Sequence, residues 1–179
     1  MTTGEDRVTL SSNGVAPAAR EDGLVWSDPF AIELGWLDGN GHLNMAYYHV
    51  MFDRTVDLAL DVLDLGARYR EATQGGIFNV ETHVVYRQEV GADDRVRCSF
   101  QLLGADEKRL HGFQVMQRVG DDALLATSES MFVHVDLTTR RVAPFPAEQA
   151  AAAAEMVARH AAEGEPKYAG RRIAPLSAS

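Results

Sequence analysis

A single cysteine among 179 residues rules out a disulfide within the chain and suits a reducing compartment. Its neighbours alternate as Val96, Cys98, Phe100 and Leu102, which reads as the inward side of a strand carrying a buried, unreactive thiol. Basic residues are scarce. Seventeen Lys and Arg against 26 Asp and Glu give a formal net charge of -9, which leaves no broad basic face for nucleic acid. No apolar run is long enough to cross a bilayer, and the opening MTTGEDRVTLSSNGVAPAAR lacks the apolar stretch of a signal peptide, so a cytoplasmic protein without membrane attachment is expected. Also missing are a G-x-S-x-G elbow, a phosphate-binding loop and a Rossmann glycine fingerprint, without which serine-hydrolase, nucleotide-hydrolase and dehydrogenase chemistry lack their required parts.

What is present is enough for one core, with 46% of the residues hydrophobic. Residues 1 to 21 are small and polar without periodicity and are expected to be a mobile tail. From Leu24 to Trp36 the alternation of Phe30, Ile32 and Leu34 with Ala31 and Glu33 predicts a strand. The block LDGNGHLN is a loop, and Met45 to Leu65, free of Gly and Pro, is expected to be a helix. Asn44 suits its N-cap and Gly66 its C-terminal stop, while Asp53, Asp57, Asp61 and Asp64 mark its solvent stripe. Four strand-like runs follow, over 76–90, 94–103, 108–119 and 123–137, with turns at Gly91, Gly104 and Gly120 short enough to force an antiparallel meander. One helix cannot cover both faces of so apolar a sheet, so a second subunit is expected to cover part of it. Residues 22 to 146 thus form the domain, and 147 to 179 add an alanine-rich peripheral helix, stopped by Gly164, and an irregular end.

The segment Asp38-Gly39-Asn40-Gly41-His42-Leu43-Asn44 concentrates chemistry. It sets polar side chains in a glycine-rich loop directly before a helix, whose unpaired N–H groups and positive dipole end suit a developing oxyanion. A nearby carboxylate can then attack an ester-like carbonyl or activate water. The same residues also suit a tight turn that satisfies its own backbone and caps the helix.

The run DGNGHLNMAYYHVMFDRTVD resembles the signature of the 4-hydroxybenzoyl-CoA thioesterase-like branch of the hotdog superfamily. Ile77 to Val90, with Glu81, His83, Tyr86 and Glu89, looks like that family's second strand, and the likeness continues to about Pro146. The chain is also similar to the thioesterase domains associated with carnitine dehydrogenases. The resemblance implies an α+β hotdog fold, a five-stranded antiparallel sheet wrapped around one long helix, here with an extra C-terminal helix. It implies a homodimer or dimer of dimers, joined edge to edge with active sites at the interface, that hydrolyses a small acyl-coenzyme A. Coenzyme A is then part of the substrate, and no separate cofactor is expected. In such families the aspartate matching Asp38 is nucleophile or general base, and the oxyanion donor is a backbone N–H near Met45 or Ala46. His42 and Asn44 would orient water or the carbonyl.

Other positions follow from face and charge. Glu81 and His83 lie two apart on a strand, with Asn79 and Arg87 expected on the same face, so Glu81 is a second candidate base or else part of a polar interface cluster. Tyr47, Tyr48, Phe52 and Phe78 are candidate pocket residues, and His83 joins the substrate-binding set. Lys108 and Arg109 are the candidate holders of the coenzyme A phosphates. His49 with Asp53, or Asp38 with His42, could begin a metal site, but neither has a third ligand, so none is expected. Two competing readings remain: a hotdog enoyl-CoA hydratase or dehydratase, whose catalytic histidine sits in a different sequence setting, and a non-catalytic acyl-CoA-binding module. The acyl group, and whether Asp38 is nucleophile or base, stay open at this point.

Overall fold

The computed structural model describes residues 22–173, so the tail expected over 1–21 lies outside the described residues, as do residues 174–179. The elements are β1 (Val25–Trp26), β2 (Phe30–Ala31), α1 (Met45–Val62), α2 (Ala67–Thr73), β3 (Gly75–Tyr86), β4 (Arg95–Ala105), β5 (Arg109–Arg118), β6 (Leu124–Asp136), β7 (Arg141–Val142) and α3 (Ala147–His160). One antiparallel sheet runs β1-β4-β5-β6-β3, with β2 also on β4 and β7 on β6. The meander β4-β5-β6 forms as the short turns require, and β3, which precedes it in sequence, pairs with β6 and becomes the sheet edge.

The single strand expected from Leu24 to Trp36 is instead two short strands and a 3-10 turn over Leu34–Trp36. Pro29 has no N–H to give to a ladder. At Ser27 the chain already leaves the regular pattern, because its hydroxyl accepts the Cys98 N–H at 2.9 Å in place of a backbone carbonyl. The turn keeps Ile32 and Trp36 buried but sends Leu34 outward, 78% exposed, so the alternation fails at that residue.

Helix α1 begins at the expected cap and ends short of Gly66. Asp64 adopts a left-handed φ of 51°, the Leu65 N–H reaches the Leu60 carbonyl at 2.8 Å, and the Asp64 N–H reaches that of Asp61 at 3.2 Å. This is a Schellman ending with aspartate in the place usually held by glycine. Gly66 instead precedes α2, a short helix not foreseen from the sequence. The buried face of α1 carries Tyr48, Met51, Phe52, Thr55, Val56 and Ala59, and Asp53, Asp57, Asp61 and Asp64 are exposed as expected.

One core cluster joins Val56, Ala59 and Leu63 to Phe100, Leu102, Leu110 and Phe132, and a second joins Met51 and Phe52 to Val96, Cys98, Met116 and Ala126. The sheet face looking at α1 is thereby fixed. Cys98 is fully buried, which pushes its thiol up to about 12. The C-terminal helix is not peripheral. Ala153 and Met156 belong to the first cluster, and the His160 ring accepts the Leu102 N–H on Nδ1 at 2.8 Å, capping an edge of β4 that β1 is too short to reach. After Gly164 the chain crosses the outer sheet face, where the Gly170 N–H donates to Glu129 at 2.7 Å and Arg87 stacks over Tyr168. Part of the sheet that one helix leaves uncovered, and that was expected to need a second subunit, is therefore covered by the chain itself.

Candidate active site

The loop before α1 is closed by its own backbone. The Asp38 N–H donates to the His42 carbonyl at 2.8 Å and the Gly41 N–H to the Asp38 carbonyl at 3.0 Å, with Gly41 at a φ of 78° that side-chain-bearing residues rarely adopt. Two further bonds anchor it. Leu43 donates to Val90 at 2.8 Å and Asn44 to Trp36 at 2.9 Å, so the loop is tied to the segment before it and to the connection between β3 and β4. Beneath it Trp36 stacks on Tyr47 with ring centres 5.1 Å apart, while Arg54 lies over the Trp36 ring.

In this setting the Asp38 carboxylate has two unlike oxygens. Oδ1 accepts the N–H of Asn40 at 2.8 Å and of His42 at 3.3 Å, the Asn40 side chain pulls weakly on the same carboxylate, and no bond of similar geometry is found at Oδ2 among the described residues. The Asn40 amide first, and the His42 amide next, hold the carboxyl below its usual range. The Asn44 side chain accepts the Ala46 N–H at 3.0 Å, an N-cap that occupies one of the two expected oxyanion donors. No hydrogen bond to the Met45 N–H is found among the described residues, and the Met45 side chain is 62% exposed. His42 Nε2 stands 3.5 Å from Glu89.

Glu81 and His83 are not part of this loop. A bulge between Asn79 and Glu81 changes the register of β3, so that Asn79 pairs with Phe132 on the α1 side while Glu81 pairs with Met131 on the outer side. The expected sharing of one face by Asn79 and Glu81 therefore fails. Asn79 donates to Thr82 at 2.7 Å, and Thr82 contacts the Ser130 hydroxyl at 2.9 Å, both facing α1. On the outer face Glu81 and His83 line a cavity with His111, Glu129 and Arg171, and His111 is paired with Glu129 at 2.8 Å.

Among the aromatic candidates, Tyr48 is buried edge-on to Tyr86, and its hydroxyl is raised to about 12, chiefly by burial. Phe78 is exposed on the sheet edge. Lys108 and Arg109 follow β4, whereas the Asp38 loop is tied to Val90 just before it, so the strand's length of roughly 35 Å at about 3.3 Å per residue separates them within one chain. Arg109 is held by Asp106 through Nε at 2.7 Å and Nη2 at 2.6 Å, and Lys108 lies 3.3 Å from Glu107. The Arg109 guanidinium first, and the Lys108 N–H next, pull the Asp106 carboxyl down to about 2.

A cavity of about 280 Å³ opens between α1 and the strands β3 and β6, lined by His49, Asp53, Asn79, Thr82, Ser128 and Ser130 among others. Sequence reasoning passed over it. The available signal was the pair of serines at inward positions of β6, where the core pattern asks for apolar residues. Among the described residues no group of three or more His, Cys, Asp or Glu side chains is placed to hold a metal ion, and no helix is long and apolar enough to cross a membrane.

The family model of the Thioesterase-like superfamily matches residues 32–153. The chain is 36% identical over 138 residues to a betainyl-CoA thioesterase of Pseudomonas aeruginosa, covering 77% of this chain and 87% of that one. It is 37% identical over 144 residues to an L-carnitine dehydrogenase/betainyl-CoA thioesterase of Ruegeria pomeroyi, where the match spans 80% of this chain but 29% of that one. A Staphylococcus aureus protein solved in complex with CoA superimposes with a TM-score of 0.79 at 25% identity, covering 86% of this chain and 96% of that one. A candidate thioesterase of Pseudomonas putida does so with a TM-score of 0.72 at 31% identity, covering 86% and 98%. Relatives and architecture together define a thioester hydrolase of the hotdog class. The chain belongs to the Thioesterase-like superfamily.

Proposed function

We propose that the chain hydrolyses a small acyl-coenzyme A thioester with Asp38 as the nucleophile and the Met45 N–H as the oxyanion donor. The observation that carries this reading is the pairing of a free, ionised carboxylate oxygen with an unengaged amide in one short loop at the start of α1. A carboxyl held below its ordinary range stays ionised at neutral pH and so is able to attack. Oδ2 adds to the thioester carbonyl, the C–S bond breaks, and coenzyme A leaves as a thiolate that takes a proton. Water then cleaves the resulting mixed anhydride, releasing the acid and restoring the carboxylate. His42, 3.5 Å from Glu89, would serve either proton transfer.

The ligand class agrees with the CoA-bound structural neighbour, and the relatives named for betainyl-CoA make that acyl group the first to assay. The exposed edge of β3, carrying Val80 at 58% exposure, suits pairing with a second copy. An antiparallel pairing there brings the partner's β4–β5 hairpin to the end of the molecule that holds the Asp38 loop, where its basic residues can meet the phosphates. Sedimentation should give a dimer; a monomer with full activity would overturn this assembly.

Asp38→Asn tests the chemistry. The amide still accepts in the loop but cannot attack, so kcat should fall by about a thousandfold or more while affinity for free coenzyme A is kept. Near wild-type turnover would make Asp38 a turn residue only.

A further inference from the structure

We propose that the cavity between α1, β3 and β6 is the acyl pocket, and that Asp53 is the counter-charge that selects an acyl group bearing a quaternary ammonium. This rests on the thioester hydrolysis proposed above and adds a residue that fixes its specificity. Three observations carry it.

The first is the lining. Ser128, Ser130, Thr82, Asn79 and Gln114 place neutral polar groups on the sheet face that elsewhere packs apolar side chains against α1. Some of these are satisfied: Gln114 donates to the Phe52 carbonyl at 2.8 Å, and Thr82 contacts Ser130. Ser128 is not. It is 3% exposed, lines the cavity, and its hydroxyl makes no hydrogen bond among the described residues. A buried hydroxyl left open to a cavity costs stability unless something occupies the space.

The second is charge. Asp53 makes no ion pair among the described residues, and no Lys or Arg lines the cavity. His49, one turn earlier, is the other titratable group there. Asp57 and Asp61 follow at four-residue spacing, and the Asp57 carboxyl is raised by burial first and by Asp53 and Asp61 next, so negative potential accumulates along this stripe. An anionic acyl group would be repelled, and a neutral one would leave the carboxylate without a counter-charge. A compact cation of low hydration, such as a trimethylammonium, satisfies the charge without demanding directed hydrogen bonds.

The third is reach. Met45, His49 and Asp53 stand four residues apart on one side of α1, so Asp53 is about 12 Å along the axis from Met45 at 1.5 Å per residue. Its side chain leans back toward the helix start. A thioester carbonyl held at the Met45 N–H therefore directs a short acyl group along this stripe toward Asp53.

The test compares betainyl-CoA with 3,3-dimethylbutyryl-CoA, which replaces the ammonium nitrogen by carbon and keeps the shape. Wild-type kcat/KM should favour the cation by about fivefold, the scale of an ion pair made by an exposed carboxylate. Asp53→Asn should collapse that ratio toward unity, and Asp53→Glu should keep most of it, with circular dichroism confirming both folds. An Asp53→Asn enzyme that keeps the full preference overturns the assignment. So does a wild-type enzyme that cleaves the two substrates equally, a comparison that decides the matter even if neither variant folds. If the wild type cleaves neither these nor any other acyl-CoA, the hydrolysis reading itself fails.

Discussion

The two faces of the sheet both carry paired polar side chains, and the groups left open gather around α1 and the loop that starts it. On the outer face His111 is matched by Glu129, Glu129 by the Gly170 N–H, and Arg87 by the Tyr168 ring. On the face toward α1, and in the loop that starts that helix, Asp38 keeps one oxygen free, Met45 keeps its N–H free, Ser128 faces a cavity and Asp53 lacks a cation. Polar groups that satisfy one another hold a fold together. Polar groups left open at a buried or dipolar position cost stability and are retained where a ligand completes them.

The contrast is sharpest at the helix start. Replacing Met45 by proline removes one N–H, and the ring suits the first helical position after an extended residue, which Asn44 is at ψ 140°. We expect kcat to fall by about a hundredfold or more with little change in substrate affinity. Full kcat in a folded Met45→Pro enzyme would move the oxyanion donor elsewhere.

The outer face should respond in the other currency. Glu129→Gln weakens the bonds to His111 and Gly170 and should cost about 1–2 kcal/mol, read as a fall of a few degrees in Tm, with kcat within about threefold of wild type. A large kcat effect would erase the distinction between the two faces.

A smaller effect is expected at His160. Burial first, and Arg159 next, depress its folded-state pKa below 6.5, with the Gly23 carbonyl and Asp22 pulling weakly the other way. The unfolded chain then binds more protons as pH drops below about 6.5, so stability should decline from there and level off below the folded value. Protonation also turns Nδ1 into a donor facing the Leu102 N–H. His160→Gln should flatten that part of the stability profile; an unchanged slope would place the titration on another group.

Much of this was legible in the sequence. The meander, the helix N-cap at Asn44 and the buried Cys98 follow from turn residues and alternation, and the Asp38 loop stands out because polar residues and glycines crowd a helix start. What was not legible depended on single backbone events. The bulge at Val80 moves Asn79 to the face opposite Glu81, and a one-residue shift of this kind leaves no mark in an alternating pattern that is polar on both sides. Asp64 ending α1 in place of Gly66, and Pro29 with Ser27 breaking the first strand, are local choices that propensity alone ranks poorly. Asp53 is exposed on the solvent stripe as expected, but the cavity it borders exists only once β3 and β6 lie beside the helix.

The most direct measurement of the central claim is rapid-quench mass spectrometry under single-turnover conditions with betainyl-CoA. Nucleophilic attack by Asp38 predicts a transient acyl mass on the peptide carrying residues 38–45, formed as coenzyme A is released and absent in Asp38→Asn. Release of coenzyme A with no acylated peptide at any time point would contradict nucleophilic attack and leave Asp38 the role of a base.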